Sequence, residues 1–207
     1  MSLFWEEIPR FEIGDWWKDE ELPLDFRRFG SFSSVCCEVG FGHGEFIFSM
    51  AEKDTEKLFV GIERYGEGLR KILRAIRRSS APNIMPLCGD GYVILQVAFA
   101  DESLESVFVN FPDPWPKKRH EERRLFTREF FSLCARKLKR GGRVNFATDD
   151  RALAKQGMDE IGAVKDLVNE NPPPGHLARS PHPFQTRYER KWMSEGKSLF
   201  YFTYGKA

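Results

Sequence analysis

Short apolar runs alternate along this chain with longer segments in which apolar residues recur every three or four positions. The apolar runs predict strands at 34–39, 58–62, 84–87, 106–109 and 143–147, with a later one at 198–203. The segments with helical spacing predict helices at 45–53, 67–78, 92–99 and 122–138, the last ended by Gly141-Gly142. Strands that alternate with helices in this way are typical of a parallel sheet covered on both faces.

The pattern therefore predicts an open, doubly wound α/β domain. Its sheet is mostly parallel, and the late strand is expected to be antiparallel at the sheet edge. We expect one domain at 33–207, preceded by an irregular, partly helical extension at 1–32. Five prolines in 170–185 predict a surface loop. The pattern assigns no role to the extension or to this loop.

Composition adds little until charge is mapped along the chain. Hydrophobic residues make up 41% and the net charge is +1, so the totals favour a folded protein and do not indicate nucleic-acid binding. Lysine and arginine nevertheless cluster at 70–78, 117–124 and 136–143. No export signal, membrane-spanning stretch or metal-ligand spacing is seen, so we expect a soluble cytoplasmic protein without a metal. Monomer and homodimer both remain open.

The segment 110–124 carries the most specific pattern. Pro112, Pro114 and Pro116 fix a rigid, non-helical loop directly after a predicted strand. The loop presents Asp113 and Trp115 and is followed by a basic run. A stiff acidic and aromatic tip beside cations suits a flat, electron-rich group on a polyanion, such as a nucleobase in nucleic acid. A simple Asp-Pro turn and a buried tryptophan anchor are the structural alternatives.

A glycine-rich turn links the first strand to the first helix and reads Glu38-Val-Gly40-Phe-Gly42-His-Gly44. It differs from the dinucleotide fingerprint, because Glu45 stands where that motif has its third small residue and would repel a pyrophosphate. The acidic-x-G-x-G-x-G pattern resembles the first motif of class I S-adenosylmethionine-dependent methyltransferases. Glu63 and Asp90 end the next two strands, suited to ribose hydroxyls and an adenine amino group. A helix N-cap is the alternative for each.

With the proline loop included, the chain resembles bacterial tRNA (guanine-N7-)-methyltransferases. The resemblance rests on segments in the family's order that span about three quarters of the sequence: 38–46, 61–63, 110–120, 147–149 and 186–189. Two departures stand out. Glu121-Glu122 interrupts the basic run, and Tyr188 stands where phenylalanine is common; both bear on tRNA preference.

The resemblance implies a Rossmann-like domain that methylates N7 of guanosine 46 in the tRNA variable loop. Asp113 would lie between cofactor and target guanine, serving as both a cofactor contact and the catalytic residue. The other implied S-adenosylmethionine contacts are Glu38, Gly40, Gly42, Gly44, Glu63 and Asp90. The implied tRNA contacts are Lys117, Asp149, Thr186, Arg187, Tyr188 and Glu189.

Guanine N7 has a free in-plane lone pair, so its methylation needs positioning and no general base. Asp113 could stabilise the positive charge that develops on the base, or accept hydrogen bonds from its N1–H and amino edge. Trp115 could stack on a base. Phosphates could be held by Arg119, His120, Arg123 and Arg124. The alternatives are a solvated helix face for Arg123 and Arg124, and a helix N-cap for Asp149.

Two other functions remain open at this point. A class I methyltransferase acting on an amino group of nucleic acid or protein would use Asn110 and Asp113 to bind that amine. A non-catalytic module could retain the cofactor fold and only grip RNA. The complete acidic and glycine motif disfavours the second alternative.

Overall fold

The computed structural model describes residues 18, 20–79, 83–115 and 124–207. Within them the strands form one seven-stranded sheet in the order β3-β2-β1-β4-β5-β7-β6. The strands are β1 (Ser34–Val39), β2 (Lys57–Glu63), β3 (Ile84–Cys88), β4 (Leu104–Asn110), β5 (Leu138–Thr148), β6 (Leu167–Asn169) and β7 (Phe200–Lys206). The first five pair in parallel, while β7 pairs antiparallel with β5 and β6.

Helices cover both faces of this sheet. They are α1 (Glu45–Lys53), α2 (Gly66–Ser79), α3 (Gly91–Ala98), α4 (Arg128–Lys137), α5 (Arg151–Gly162) and α6 (Arg187–Ser194). Successive strand residues point to opposite faces: Cys36 packs with the buried side chains of α1 and α2, and Cys37 with those of α3, α4 and α5. The predicted doubly wound, mostly parallel α/β fold is thus confirmed.

The described part of the predicted extension is tied to the body of the molecule. A single 3-10 turn spans Phe26–Phe29, and the Phe26 ring stacks on Phe99 with centroids 5.2 Å apart. Leu24 is buried, and its backbone N–H donates to the Ala98 carbonyl. These contacts attach residues 24–29 to the face that holds α3.

Most predicted elements lie within one to three residues of the observed ones, but the prediction around α4 was wrong in its bounds. Residues 124–127 are not helical, and α4 begins at Arg128. The reason is Thr127, whose side chain accepts a hydrogen bond from the Phe130 backbone N–H and caps the helix there. Arg124, predicted on the helix, therefore lies in the loop before it.

The glycine pair 141–142 does not end α4, contrary to prediction. The helix ends at Lys137, and both glycines lie inside β5. A Cβ at Gly142 would lie 3.0 Å from the Glu105 carbonyl oxygen, close to where the pairing of β4 with β5 shifts register. The glycines therefore permit a close, irregular approach of two strands.

The late antiparallel strand is not itself the edge of the sheet. The three-residue β6, which the pattern did not predict, pairs on the outer side of β7. The expected surface loop at 170–185 contains no helix and a single bridge, Leu177 to Tyr201. None of the helices in the described ranges has the length and apolar character needed to span a bilayer.

Candidate active site

The carboxyl ends of the parallel strands meet at one edge of the sheet, where doubly wound domains bind ligands. Each strand there leads into a predicted site segment. The glycine turn follows β1, Glu63 ends β2, Asp90 follows β3, the proline loop follows β4 and Asp149 follows β5. The topology therefore brings together residues from distant parts of the sequence.

The glycine turn adopts a conformation that other residues rarely take. Gly42 has φ +57°, and a Cβ added to it or to Gly40 would meet no atom within 4 Å. The turn is also held from below by α2, since a Cβ at Gly68 would lie 2.0 Å from the Gly42 carbonyl oxygen. The turn thus leaves open space above its backbone and rests directly on a helix.

Glu63 supports this turn through hydrogen bonds from backbone groups. One carboxylate oxygen accepts from the Gly42 N–H at 2.7 Å, and the other from the N–H groups of Arg64 and Tyr65 at 2.7 and 2.9 Å. Only 6% of Glu63 is exposed. These bonds use about three of the four lone-pair positions of the carboxylate, so about one remains for a ligand. Glu63 does not cap a helix.

Asp90 is an N-cap, the alternative left open for it. Its Oδ1 accepts from the backbone N–H groups of Tyr92 and Val93 at the start of α3. Its Oδ2 accepts from the Arg64 guanidinium at 2.8 Å. Although it caps α3, Asp90 also lines an open cleft at this edge of the sheet. An adenine amino group at this carboxylate would share it with Arg64.

Glu38 is the most deeply buried of the acidic residues predicted to contact the cofactor. The Asn110 amide donates to its Oε1 at 3.0 Å, whereas its buried Oε2 has no hydrogen-bond partner among the described residues. Burial raises the pKa of Glu38 to about 7; the Asn110 hydrogen bond and the Ile47 backbone N–H oppose this shift, and the Glu63 charge adds to it. A buried acceptor without a partner is costly unless a ligand supplies the donor.

Three open clefts surround Phe111, the first residue after β4. The largest, about 790 Å³, is lined by the glycine turn, Glu63, Asp90 and Asp113. A second, of about 440 Å³, is lined by Glu38 and Tyr188 on the other side of the turn. The third, of about 570 Å³, lies between Asp113 and Asp149.

Neighbouring clefts share some of their lining residues. The first two have the glycine turn in common, and the first and third have Asp113 in common. Asp113 thus lies where the glycine-turn side of the site meets the side formed by β5 and α6.

Asp113 is exposed at the tip of the proline loop. Within the described residues its carboxylate has no hydrogen bond or ion pair, and in particular it accepts no backbone N–H as an Asx turn would require. The backbone on either side is constrained, because Phe111 and Trp115 have φ of +50° and +41°. Non-glycine residues in this region cluster at functional sites. The loop is rigid, yet its acidic group faces open space.

Part of the predicted basic surface lies outside the described residues, namely Lys117, Arg119, His120 and Arg123. Arg124 is described and donates from Nε to the Trp115 carbonyl at 3.1 Å. It therefore braces the proline loop as well as lining the largest cleft with Trp115. Trp115 is half-buried, which is compatible both with stacking on a base and with anchoring the loop.

Asp149 does not cap a helix; the neighbouring Asp150 caps α5 instead. One oxygen of Asp149 accepts from the Tyr188 hydroxyl at 3.1 Å, and the other lies 3.5 Å from the Lys197 ammonium group. Burial chiefly, with the charges of Asp149 and Asp113, raises the pKa of Tyr188 to about 12, so this hydroxyl keeps its proton. Lys197, which the sequence argument did not single out, lines the same cleft.

The four predicted tRNA contacts at 186–189 form the start of α6, a helix that the apolar pattern missed. Thr186 and Glu189 form a reciprocal capping box, which the Thr-x-x-Glu spacing could have revealed. Glu189 is buried and also accepts from the Tyr201 hydroxyl at 2.8 Å. Within the described structure Glu189 therefore positions α6, while Thr186, Arg187 and Tyr188 line the second cleft.

Arg187 anchors α6 to the beginning of α1. Glu45 accepts from the Arg187 backbone N–H at 2.6 Å, and its carboxylate lies 3.3 Å from the guanidinium Nε. Glu45 thus places one negative charge at the N-termini of two helices, which favour it. No local pattern signals a contact between residues 142 positions apart.

The residues at this edge fit a cofactor that is cationic and lacks phosphate. The partnerless Glu38 oxygen would accept from an ammonium group, and the bare backbone of Gly40 and Gly42 admits a ligand in close contact. Acidic side chains line both clefts beside the turn, which disfavours a pyrophosphate. No cluster of metal-ligating side chains is found among the residues with described positions.

Comparison with known proteins gives concordant matches. A family model described as a putative methyltransferase matches residues 33–202. The tRNA (guanine-N(7)-)-methyltransferase of Buchnera aphidicola subsp. Baizongia pistaciae is 34% identical over 83% of this chain and 71% of its own length. The enzyme of that name from Thermotoga maritima is 37% identical over 86% of this chain. This chain spans 56% of the Thermotoga protein.

Solved structures agree on the fold at low sequence identity. An antibiotic-related methyltransferase matches with a TM-score of 0.62 at 18% identity, covering 87% of this chain and 92% of that one. A geranyl diphosphate methyltransferase in complex with SAM matches with a TM-score of 0.58 at 11% identity, covering 84% and 78%. These likenesses establish the arrangement of strands and helices found in class I methyltransferases.

Proposed function

The chain belongs to the tRNA (guanine-N7-)-methyltransferase family, and we propose that it transfers a methyl group from S-adenosylmethionine to N7 of a guanosine in tRNA. The observation that carries the proposal is the position of Asp113, an exposed carboxylate on a proline-rich loop between the glycine-turn cleft and the cleft of Asp149. The target is guanosine 46 of the variable loop, and the site of action is the cytoplasm.

The glycine-turn side would hold the cofactor, which supplies an electrophilic methyl group. Glu38 and the backbone of Gly40 and Gly42 would receive its amino-acid end. Glu63 offers one acceptor position for a ribose hydroxyl, and Asp90 an acceptor for the adenine amino group. Each assignment uses the free acceptor capacity seen at that residue.

Asp113 would act by charge and orientation and not as a base. Guanine N7 carries no proton, so nothing needs to be abstracted when its lone pair forms the new bond to carbon. The base gains a positive charge in that step, and a fixed carboxylate facing it lowers the energy of the transition state.

The side of the site formed by β5 and α6 would face the tRNA with Asp149, Tyr188 and Arg187. The hydroxyl of Tyr188 fixes one oxygen of Asp149, and its ring packs on Phe111 with centroids 4.9 Å apart. The target nucleoside would thus enter between the proline loop and the start of α6. Arg124, which lines the largest cleft, would lie beside it.

The alternative of an amino-group methyltransferase finds less support. It requires Asn110 and Asp113 to bind one amine together. Asn110 donates to Glu38 and lines the cleft on the far side of the glycine turn, whereas Asp113 lines the other two clefts.

The test is methyl transfer from radiolabelled S-adenosylmethionine to an unmodified tRNA transcript, followed by nucleoside analysis. We expect label in 7-methylguanosine, and none when adenosine replaces the variable-loop guanosine. Label in N6-methyladenosine or N4-methylcytidine would establish the amino-group alternative. Cofactor binding without transfer to any tRNA would leave a binding module.

A further inference from the structure

Helix α2 carries a row of arginines on its outer face. The inner face is apolar and buried against the sheet and α1. The opposite face exposes arginines at intervals of three and four residues, which places them along one side of the helix. We call these residues the arginine row: Arg70, Arg74, Arg77 and Arg78.

Within the described residues, the arginine row lacks the ion pairs that several other arginines make. In the described part of the chain, none of its guanidinium groups has a carboxylate oxygen within 4 Å, whereas Arg28, Arg64 and Arg143 each have one at 2.6–2.8 Å. The one acidic residue of α2, Glu67, pairs with Lys71 at 2.8 Å. The row therefore presents four exposed positive charges, with no ion pair to a described carboxylate and only the charge of Glu67 acting on Arg70.

This concentration of charge is unfavourable for the isolated helix. From Arg70 to Arg78 the helix rises about 12 Å, and like charges four residues apart repel one another. The C-terminal end of the helix favours cations near Arg77 and Arg78 but not near Arg70. The chain as a whole has a net charge of only +1, so the row is not a consequence of a basic composition.

The row begins beside the candidate active site. Tyr65, directly before α2, lines the largest cleft, and Gly68 lies under the glycine turn. From there the row leads away from the cleft along the outside of the molecule. A polyanion that enters the cleft with one residue and extends beyond it could therefore contact the row.

We propose that the arginine row docks the phosphate backbone of a helical arm of the substrate tRNA. The helix contains no aromatic residue on which an unpaired base could stack, and unpaired RNA is commonly held by such stacking. Guanidinium groups alone contact phosphates without reading sequence. The proposal rests on the proposed function, because it takes tRNA as the substrate, and it adds a second contact surface outside the clefts.

The test compares the salt dependence of tRNA binding, with S-adenosylhomocysteine present, between 50 and 200 mM salt. The variant Arg74→Gln/Arg78→Gln removes two charges from the part of the row away from the cleft. The control Arg140→Gln/Lys165→Gln removes two exposed charges from β5 and from the turn before β6. A third variant, Arg74→Lys/Arg78→Lys, keeps the charge.

Loss of two phosphate contacts should reduce the slope of log K against log salt by about 1.4 to 1.8. We expect that reduction for the Arg74/Arg78 glutamine variant alone, with kcat at saturating tRNA unchanged. A wild-type slope in that variant, or an equal reduction in the control, would overturn the proposal. If wild-type protein methylates no tRNA, the proposed function fails; if it methylates tRNA and the slope does not move, only the docking surface fails.

Discussion

The two sides of the site are built by opposite means. On the glycine-turn side, Glu38 and Glu63 are buried, and Glu63 is held by three backbone N–H groups. On the β5 and α6 side, Asp113 is exposed and has no partner among the described residues, and the side chains of Tyr188 and Lys197 hold Asp149. A site for one invariant small ligand can be fixed by the backbone, whereas a site that must admit part of a large RNA needs groups that stay accessible.

The largest effect is expected from Asp113→Asn, which keeps the size of the side chain and removes its charge. If electrostatic stabilisation dominates, kcat should fall by about 10²–10³. Cofactor affinity should change far less, because the rest of the glycine-turn side is intact. Single-turnover methylation and calorimetric cofactor titration measure the two quantities. Asp166→Asn, at an exposed acid outside the clefts, is the control; a wild-type kcat in Asp113→Asn would refute the role.

The second-largest effect is expected where helix α2 supports the backbone of the glycine turn. Gly68→Ala would drive a Cβ to 2.0 Å from the Gly42 carbonyl oxygen, so α2 and the glycine turn must separate. We expect a loss of about 1–3 kcal/mol in the free energy of unfolding, as for overpacked cores, together with weaker cofactor binding. Gly66→Ala is the matched control, since its Cβ would meet only the Arg70 guanidinium at 3.4 Å. Equal denaturation midpoints for the two variants would contradict this account.

A smaller effect should appear as pH dependence on the Glu38 side. The pKa of Glu38 is about 7 in the folded protein and about 4.5 when unfolded, so the folded form holds the extra proton between these values. Its contribution to stability is therefore full below pH 4.5 and is lost as pH rises through 7. A cationic ligand group prefers the ionised form, so cofactor affinity should fall by up to about fivefold from pH 7 to pH 6.

Glu38→Gln removes the titration while keeping the Asn110 contact. This variant should bind the cofactor more weakly than the wild type, and its dissociation constant should vary less between pH 6 and pH 7. Titration calorimetry at both pH values gives the comparison. A variant that retains the wild-type pH dependence would show that another group is responsible.

The smallest effect is expected from Tyr188→Phe, which deletes one hydrogen bond and keeps the ring on Phe111. A net contribution of about 0.5–1.5 kcal/mol corresponds to a roughly two- to tenfold increase in KM for tRNA. The kcat value should hold, because Tyr188 positions Asp149 without facing the reacting atom. In an Asp149→Asn background the same change should have less effect, and an undiminished effect would exclude coupling of the two residues.

The sequence predicts the glycine-turn side far better than the α6 side. The bounds of β1 and α1 agree with prediction, because an apolar run, a glycine turn and a periodic segment follow one another locally. The roles of Asp90 were less distinct, since a helix cap and a ligand acceptor require the same residue at the same place. The family resemblance named Glu38, Glu63 and Asp113 but not their contacts.

What local patterns could not supply are contacts between distant segments. The link from Glu45 to Arg187 and the hydrogen bond from Tyr188 to Asp149 depend on the final topology. The helix α6 has eight residues, of which only Glu189 is buried, so it lacks an apolar period to detect. Gly141-Gly142 misled the prediction because glycine serves strand irregularities as readily as helix ends.

The position of β7 between β5 and β6 has a consequence for the order in which the protein takes shape during synthesis. Strands β1 to β4 occur consecutively in the chain and can pair as they leave the ribosome, whereas β6 has no partner in the described sheet until β7 arrives. The glycine-turn side can therefore form on a nascent chain, and the surface for a large substrate is completed only after β7 has been synthesised.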